Sequence, residues 1–127
     1  MNGIARRLAV IVAACALAAS VLGGCRPADS PGSAIRIGAV FPITSNAASL
    51  AGPELAGVRI AADQVNADGG IDGHRIELEV RDLPARGEAD AVMADLRDHG
   101  VRIVIGSYSS DLSIAASQAA DRAGLLY

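Results

Sequence analysis

The fold is decided by the stretch AADQVNADGGIDGHRI, residues 61–76, where a helical pattern ends and a strand pattern begins. Gly69 and Gly70 stop the helix, because glycine adopts the left-handed backbone conformation of a helix end without steric cost. Asn66 is expected to bond a nearby backbone group, which is a structural role and not a ligand-binding one. The stretch therefore predicts a helix, a glycine turn and a β-strand that begins at Ile76.

On both sides of this turn, strand patterns alternate with helix patterns. Apolar residues recur at helical spacing in the helical segments, and Pro53 suits the first position of a helix. Such alternation with short loops predicts βαβ units and a parallel sheet. The predicted elements are, in chain order, strand Ile35–Phe41, helix Pro53–Ala67, strand Ile76–Asp82, helix Gly87–Asp98, strand Val101–Gly106, a helix from Asp111, and a fourth strand that opens at Leu125.

The apolar patterns of the strands predict their order in the sheet. Residues 76–82 alternate apolar with charged side chains, which is typical of an edge strand, whereas residues 101–106 are continuously apolar and predict a central strand buried on both faces. The expected order is 2-1-3-4. The fold class is thus α/β, a Rossmann-like parallel sheet with flanking helices. Because the fourth strand only begins at Leu125, we expect residues 35–127 to be the front part of a longer protein.

The N-terminus has the pattern of a secretory signal peptide. Arg6 and Arg7 precede an apolar run, residues 8–22, that ends in small residues. The run is shorter than the roughly 20 apolar residues that a transmembrane helix needs. We therefore predict a signal peptide over residues 1–24, and the mature chain would lie outside the cytoplasm.

A cysteine, Cys25, follows Leu22-Gly23-Gly24 directly. This arrangement resembles the lipobox of bacterial lipoproteins, in which the thiol is lipidated and the cysteine becomes the first mature residue. Cys15 would be removed with the signal peptide, so Cys25 would be the sole mature cysteine. Residues 25–34 are rich in Pro, Ser and Gly and are expected to form a flexible tether. The sequence thus predicts a protein anchored by lipid to the outer side of the cell membrane.

Composition and motifs argue against several functional classes. The chain has 11 basic and 14 acidic residues, a net charge of −3 and no clustered basic patch, which argues against a nucleic-acid partner. It lacks a glycine-rich phosphate loop and a Gly-x-Ser-x-Gly turn. His74 and His99 do not have the spacing of a metal pair. We expect no catalytic residue, no metal and no cofactor, and the protein is not expected to be an enzyme.

Two loops are placed to bind a ligand. In parallel sheets, ligands bind beyond the carboxyl ends of the strands where the strand order reverses, which here lies between strands one and three. The loops at that point are Pro42–Gly52 and Ser107–Asp111, and the second leads into a helix N-terminus that can hold a carboxylate. Serine and aspartate also cap helices, so capping and ligand binding both remain open. Asp82, at the tip of strand two, is expected to anchor a loop.

The turn at residues 61–76 resembles the leucine/isoleucine/valine-type solute-binding proteins of ABC transporters, which have the type I periplasmic-binding fold. Ile35–Val40, Asp82 and Val104-Ile105-Gly106 before a serine-rich loop match it in order and spacing. The resemblance covers residues 35–127. It implies two lobes that close over an amino acid or a similar small polar solute, with an ABC permease as partner. The alternatives are a ligand-sensing receptor or regulatory ectodomain of the same fold and, with less support, an exported α/β enzyme.

The resemblance also implies which residues bind the solute. Ser110 would meet the ligand carboxylate, with Ser109 and Ser113 as neighbours. Two features depart from the family pattern: Asp111 adds a negative charge, and residues 45–51 lack an aromatic ring. The solute is therefore expected to be an amino acid or an analogue, without restriction to branched chains. The candidate ligand-binding residues are Ser45, Asn46, Tyr108, Ser109, Ser110, Asp111 and Ser113.

Overall fold

The computed structural model describes residues 34–127. The predicted signal peptide, the predicted lipidation site Cys25 and residues 25–33 of the predicted tether lie outside the described residues. The elements are β1 (Ile35–Phe41), α1 (Ala48–Ala67), β2 (Ile76–Asp82), a 3₁₀ turn (Arg86–Glu88), α2 (Ala89–Asp98), β3 (Ile103–Gly106) and α3 (Ser110–Ala123).

The three strands form one parallel sheet in the order β2-β1-β3. The register pairs Ile35 of β1 with Ile76 of β2, and Ile37 of β1 with Ile103 of β3. Leu126 forms a single parallel bridge with Ile103, at the position where the predicted fourth strand would begin. The predicted fold class and the relative order of strands one to three are confirmed.

The two faces of the sheet are covered by different helices. On one face, α2 and α3 enclose a cluster of fully buried side chains that includes Val40, Met93 and Leu96. We call this the packed face. On the other face, α1 covers Ala39 and Phe41 of β1 together with its own Ala51 and Leu55, a smaller cluster. We call this the open face.

The expectation that strand three is buried on both faces is wrong for the described residues. The strand begins at Ile103, two residues later than predicted, and only Val104 is buried in its apolar stretch. Ile103 and Ile105 are 39% and 40% exposed. The reason is that α1 contacts β1 and β2, so the part of the open face that belongs to β3 has no helix above it among residues 34–127.

The expected start of the first helix is also wrong. Helix α1 begins at Ala48, so Pro53 lies inside it and not at its first position. The additional turn forms because the Ala47 carbonyl accepts hydrogen bonds from the N–H groups of Leu50 and Ala51. Proline removes one N–H donor from a helix, a loss that this 20-residue helix tolerates. The loop after β1 is therefore shorter than predicted and comprises residues 42–47.

The glycine turn after α1 has the predicted architecture. The N–H of Gly70 bonds the Val65 carbonyl and the N–H of Gly69 bonds the Asn66 carbonyl, with Gly69 in the left-handed region at φ 101°. This is a Schellman arrangement. The Asn66 side chain accepts from the Ile76 N–H at 2.7 Å and donates to the Ile76 carbonyl at 2.9 Å. Asn66 thus ties the end of α1 to the start of β2, which confirms its predicted structural role.

Candidate functional site

The two predicted ligand loops leave neighbouring strands at the same edge of the sheet. Strands β1 and β3 pair in parallel up to Val40 and Gly106, so the β1–α1 loop (residues 42–47) and the β3–α3 loop (residues 107–109) start side by side. Tyr108 packs against the open-face cluster that contains Phe41 and Ala51. The structure therefore brings the β3–α3 loop into contact with the end of β1 and the first turn of α1.

The close approach of the β3–α3 loop to β1 requires glycine at position 106. Gly106 has φ 136°, in the region that side chains disfavour, and a Cβ placed there would lie 2.0 Å from the carbonyl oxygen of Val40. Any larger residue would push the strand end and the loop that follows away from β1. Gly106 thus allows the loop of residues 107–109 to start close to the end of β1.

The β1–α1 loop is held by Asp82, at the end of β2. One carboxylate oxygen of Asp82 accepts from the N–H of Ile43 at 2.6 Å and of Thr44 at 3.3 Å, and the other accepts from the Thr44 hydroxyl. Burial raises the pKa of Asp82, but the hydrogen bonds from Thr44, Ile43 and Leu83 together outweigh it and hold this pKa below its usual value. The predicted loop-anchoring role of Asp82 is confirmed.

Ser109 caps the N-terminus of α3, and Ser113 bonds the loop that precedes it. Ser109 is the N-cap residue, and its hydroxyl oxygen accepts from the Leu112 N–H at 3.3 Å. Ser113 donates its hydroxyl to the Ser107 carbonyl at 3.4 Å. Ser110, the first residue of the helix, is exposed, and its hydroxyl makes no hydrogen bond within residues 34–127. The Ser107 hydroxyl also has no hydrogen-bond partner within residues 34–127, but it is buried. Ser110 is therefore the exposed serine of this turn that can offer a hydroxyl to a ligand.

Asp111 is turned towards a residue that the sequence analysis did not single out. Its carboxylate accepts from Arg86 Nη1 at 3.0 Å, and both side chains are largely exposed. Arg86 belongs to the 3₁₀ turn after β2 and lies 25 residues earlier in the chain. No local motif marks such a pair, because it depends on how the β2–α2 connection passes the N-terminus of α3.

Ser45 and Asn46 lie in the β1–α1 loop. The Ser45 hydroxyl accepts from the Ala47 N–H at 3.2 Å, and its carbonyl accepts from the Ala48 N–H, so Ser45 supports the start of α1. Asn46 is exposed, and its amide makes no hydrogen bond within the described part of the chain. The predicted site residues thus form two groups. The side chains of one group make hydrogen bonds: Ser45, Ser109, Asp111 and Ser113. The polar side-chain groups of Asn46, Tyr108 and Ser110 make none within residues 34–127.

Residues 34–127 contain no group of three or more His, Cys, Asp or Glu side chains placed to hold a metal ion. None of the helices in this part of the chain is long and apolar enough to cross a lipid bilayer.

Comparison with known proteins gives consistent matches. A family model described as periplasmic binding protein matches residues 34–127. The Leu/Ile/Val-binding protein homolog 8 of Brucella abortus is 37% identical over 97 residues, which are 73% of this chain and 23% of that protein. This chain thus spans about a quarter of the length of the curated relatives that it matches.

Two solved structures are similar in both fold and sequence. The branched-chain amino acid transporter substrate-binding protein LivJ from Streptococcus pneumoniae, in complex with isoleucine, superposes with a TM-score of 0.68 at 34% identity, over 72% of this chain and 27% of that one. An ABC transporter substrate-binding protein from Desulfitobacterium hafniense superposes with a TM-score of 0.59 at 32% identity, over 72% and 26%. Both superpositions cover only about a quarter of the solved chain.

Proposed function

Because this chain belongs to the periplasmic binding protein family, we propose that it forms part of an extracytoplasmic protein that captures an amino acid or a similar small polar solute for an ABC importer. It would bind the solute without chemical change. The names of its relatives, a Leu/Ile/Val-binding protein homologue and a branched-chain amino acid binding protein solved with isoleucine, support an amino acid as the solute.

The observation that carries the proposal is the N-terminus of α3. The first N–H groups of a helix have no acceptor within the helix, and the helix dipole makes this end attractive to a carboxylate. Ser109 satisfies the N–H of Leu112, while Ser110 leaves its hydroxyl exposed next to the remaining donors. Tyr108 and Asn46 stand on the two loops that flank this point. Such a turn would bind the α-carboxylate of an amino acid.

We further propose that the mature protein begins at Cys25 and is held by lipid at the membrane, close to its permease partner. Support comes from the basic, apolar and small-residue pattern of residues 1–25. Residues 25–34 would be the tether, and residues 35–127 the N-terminal part of the first of two lobes.

Solute binding is tested by calorimetry on the complete mature protein with L-isoleucine, L-leucine and other amino acids as probes. We expect saturable binding of at least one. Ser110→Ala should weaken it about tenfold, the order expected for one hydrogen bond to a charged group. Ser117→Ala is the matched control, because Ser117 lies on the same helix and bonds only the Ile114 carbonyl. Failure of every amino acid, and of amides and short peptides, to bind would contradict the proposal.

Lipidation is tested by labelling cells with a palmitate analogue. Label in the mature protein should disappear in Cys25→Ser and persist in Cys15→Ser, since Cys15 would leave with the signal peptide. Equal labelling of both variants, or a mature N-terminus other than Cys25, would refute the anchor.

A further inference from the structure

Arg86 and Asp111 form a charge pair at the edge of the proposed solute site. Asp111 is the only charged residue in residues 42–52 and 107–113, which comprise the two loops and the first turns of their helices. It directly follows Ser110, at the second position of α3. Its carboxylate would therefore place a like charge beside a solute carboxylate bound at this helix end.

The carboxylate of an aspartate at this position can make one of two favourable interactions. It can turn to the free N–H groups of its own helix terminus, which the helix dipole favours, or it can pair with a cation. In the first arrangement it competes with the solute for the same donors. In the structure, Asp111 Oδ1 lies 3.0 Å from Arg86 Nη1 instead, so the carboxylate points to the turn after β2.

We propose that Arg86 is a positioning residue for solute binding: it holds the Asp111 carboxylate aside and offsets its charge, so that a carboxylate-bearing solute can occupy the N-terminus of α3. This inference rests on the proposed function. The pair contributes little to stability, because the two side chains are 71% and 64% exposed. The pair would therefore act mainly through the electrostatic potential at the N-terminus of α3, where the solute carboxylate would bind.

The opposite end of α3 supplies a matched control. Arg122 Nη2 lies 2.6 Å from Asp90 Oδ1, and these side chains are 57% and 70% exposed. This pair has the same chemistry and a similar exposure, and its arginine lies in the last turn of α3. If loss of any surface ion pair weakened solute binding, the Arg86 and Arg122 variants should weaken it equally. If the effect is specific to the site, only the Arg86 variant should weaken it.

The experiment measures the Kd of L-isoleucine, or of whichever amino acid the complete protein binds most tightly, for five proteins: wild type, Arg86→Ala, Asp111→Asn, the double variant and Arg122→Ala. Arg86→Ala should raise Kd about fivefold at low salt, as expected for one uncompensated charge near the ligand, and less at high salt. The double variant should bind like Asp111→Asn, and Arg122→Ala should bind like wild type.

Each outcome has a distinct meaning. If wild type binds but Arg86→Ala leaves Kd unchanged, or if the loss persists in the double variant, the positioning role is overturned while the proposed function stands. An equal loss in Arg122→Ala would also overturn it. If wild type binds no amino acid, the proposed function fails and this inference fails with it.

Discussion

The two faces of the sheet hold their helices in different ways. On the packed face, two helices bury a continuous aliphatic cluster, and Leu96 fits so closely that a Cβ at Gly38 would lie 2.9 Å from its Cδ1. On the open face, α1 stands over β1 and β2 and leaves an apolar groove of about 170 Å³ beside it, lined by residues such as Ile37, Val65 and Ile105. Side chains of similar hydrophobicity are thus buried on one face and half exposed on the other.

The difference shows that burial depends on which elements are present as well as on the residue type. Helix α1 is fixed at two points: Asn66 ties its end to Ile76, and Asp82 holds the loop that leads into it. The packed face relies on apolar area, which contributes roughly 25 cal/mol per Å² removed from water. The open face buries a smaller apolar cluster, so these hydrogen bonds are expected to matter more there. The following experiments test that contrast, from the largest expected effect to the smallest.

The largest effect is expected when residues 25–127 are produced alone. Because Ile103 and Ile105 leave an apolar strip on the open face, we expect aggregation and no sharp cooperative thermal transition. Ile105→Thr should increase the monomeric fraction in size-exclusion chromatography, and Ile60→Thr, at an exposed position of α1, should change it less. A monomeric fragment with a sharp thermal unfolding transition would show that residues 25–127 fold stably without another element packed over Ile103 and Ile105.

The second experiment compares the loss of stability when one buried leucine from each face is replaced. Leu96→Ala should lower the free energy of unfolding of the complete protein by about 3 kcal/mol, because it leaves a cavity in a closely packed cluster. Leu55→Ala should cost about 2 kcal/mol, since its smaller cluster borders open space and can relax. Urea unfolding of both variants measures the difference. An equal or larger loss for Leu55 would mean that both faces are equally well packed in the complete protein.

The sequence predicted those parts of the fold that local patterns determine. The bounds of β1 and β2 and the strand order follow from alternation and apolar runs, and the glycine turn follows from Asn66, Gly69 and Gly70. The start of α1 could not be predicted, because the Ala47 carbonyl begins the helix without a side-chain cap and Pro53 gave a stronger local signal. The exposure of Ile105 depends on the position of α1, which no local pattern of β3 contains.

The candidate site was predictable to a similar extent. Topology placed both loops at one edge of the sheet, and Asp82 was expected to anchor a loop. Whether each serine caps a helix or is available depends on side-chain geometry that composition leaves open: Ser109 caps, and Ser110 is exposed. No sequence pattern indicated Arg86, since its partner Asp111 lies 25 residues later, in the first turn of α3.

A smaller effect is expected from the amide that fixes the end of α1. Asn66→Ala removes both hydrogen bonds to Ile76 and leaves the backbone groups of a half-buried strand end without these partners. The free energy of unfolding of the complete protein should fall by about 2 kcal/mol. Asn46→Ala is the control, because the Asn46 amide has no such bond within residues 34–127, and it should change stability by less than about 0.5 kcal/mol. Similar losses of unfolding free energy in the two variants would mean that the Asn66–Ile76 hydrogen bonds do not hold the end of α1.

The smallest effect concerns the second fixed point, Asp82, and depends on pH. Its folded-state pKa lies below the ordinary value of 3.8, so the ionised form stabilises the fold. That contribution is fully present above the unfolded pKa and is lost as pH falls through the lower, folded pKa. Asp82→Asn should therefore cost about 1 kcal/mol near neutral pH, because an amide accepts hydrogen bonds more weakly than a carboxylate, and the cost should shrink below about pH 4.

Urea unfolding at a series of pH values checks this, with Asp121→Asn as control, since the Asp121 carboxylate makes no hydrogen bond within the described residues. If the loss in Asp82→Asn were the same at pH 3 and pH 7, the carboxylate charge would contribute nothing to holding the β1–α1 loop. The open face would then depend on Asn66 and the apolar contacts of α1 alone. If the loss disappears at low pH, the Asp82 charge holds Ile43 and Thr44 in place, and with them the β1–α1 loop that carries Ser45 and Asn46.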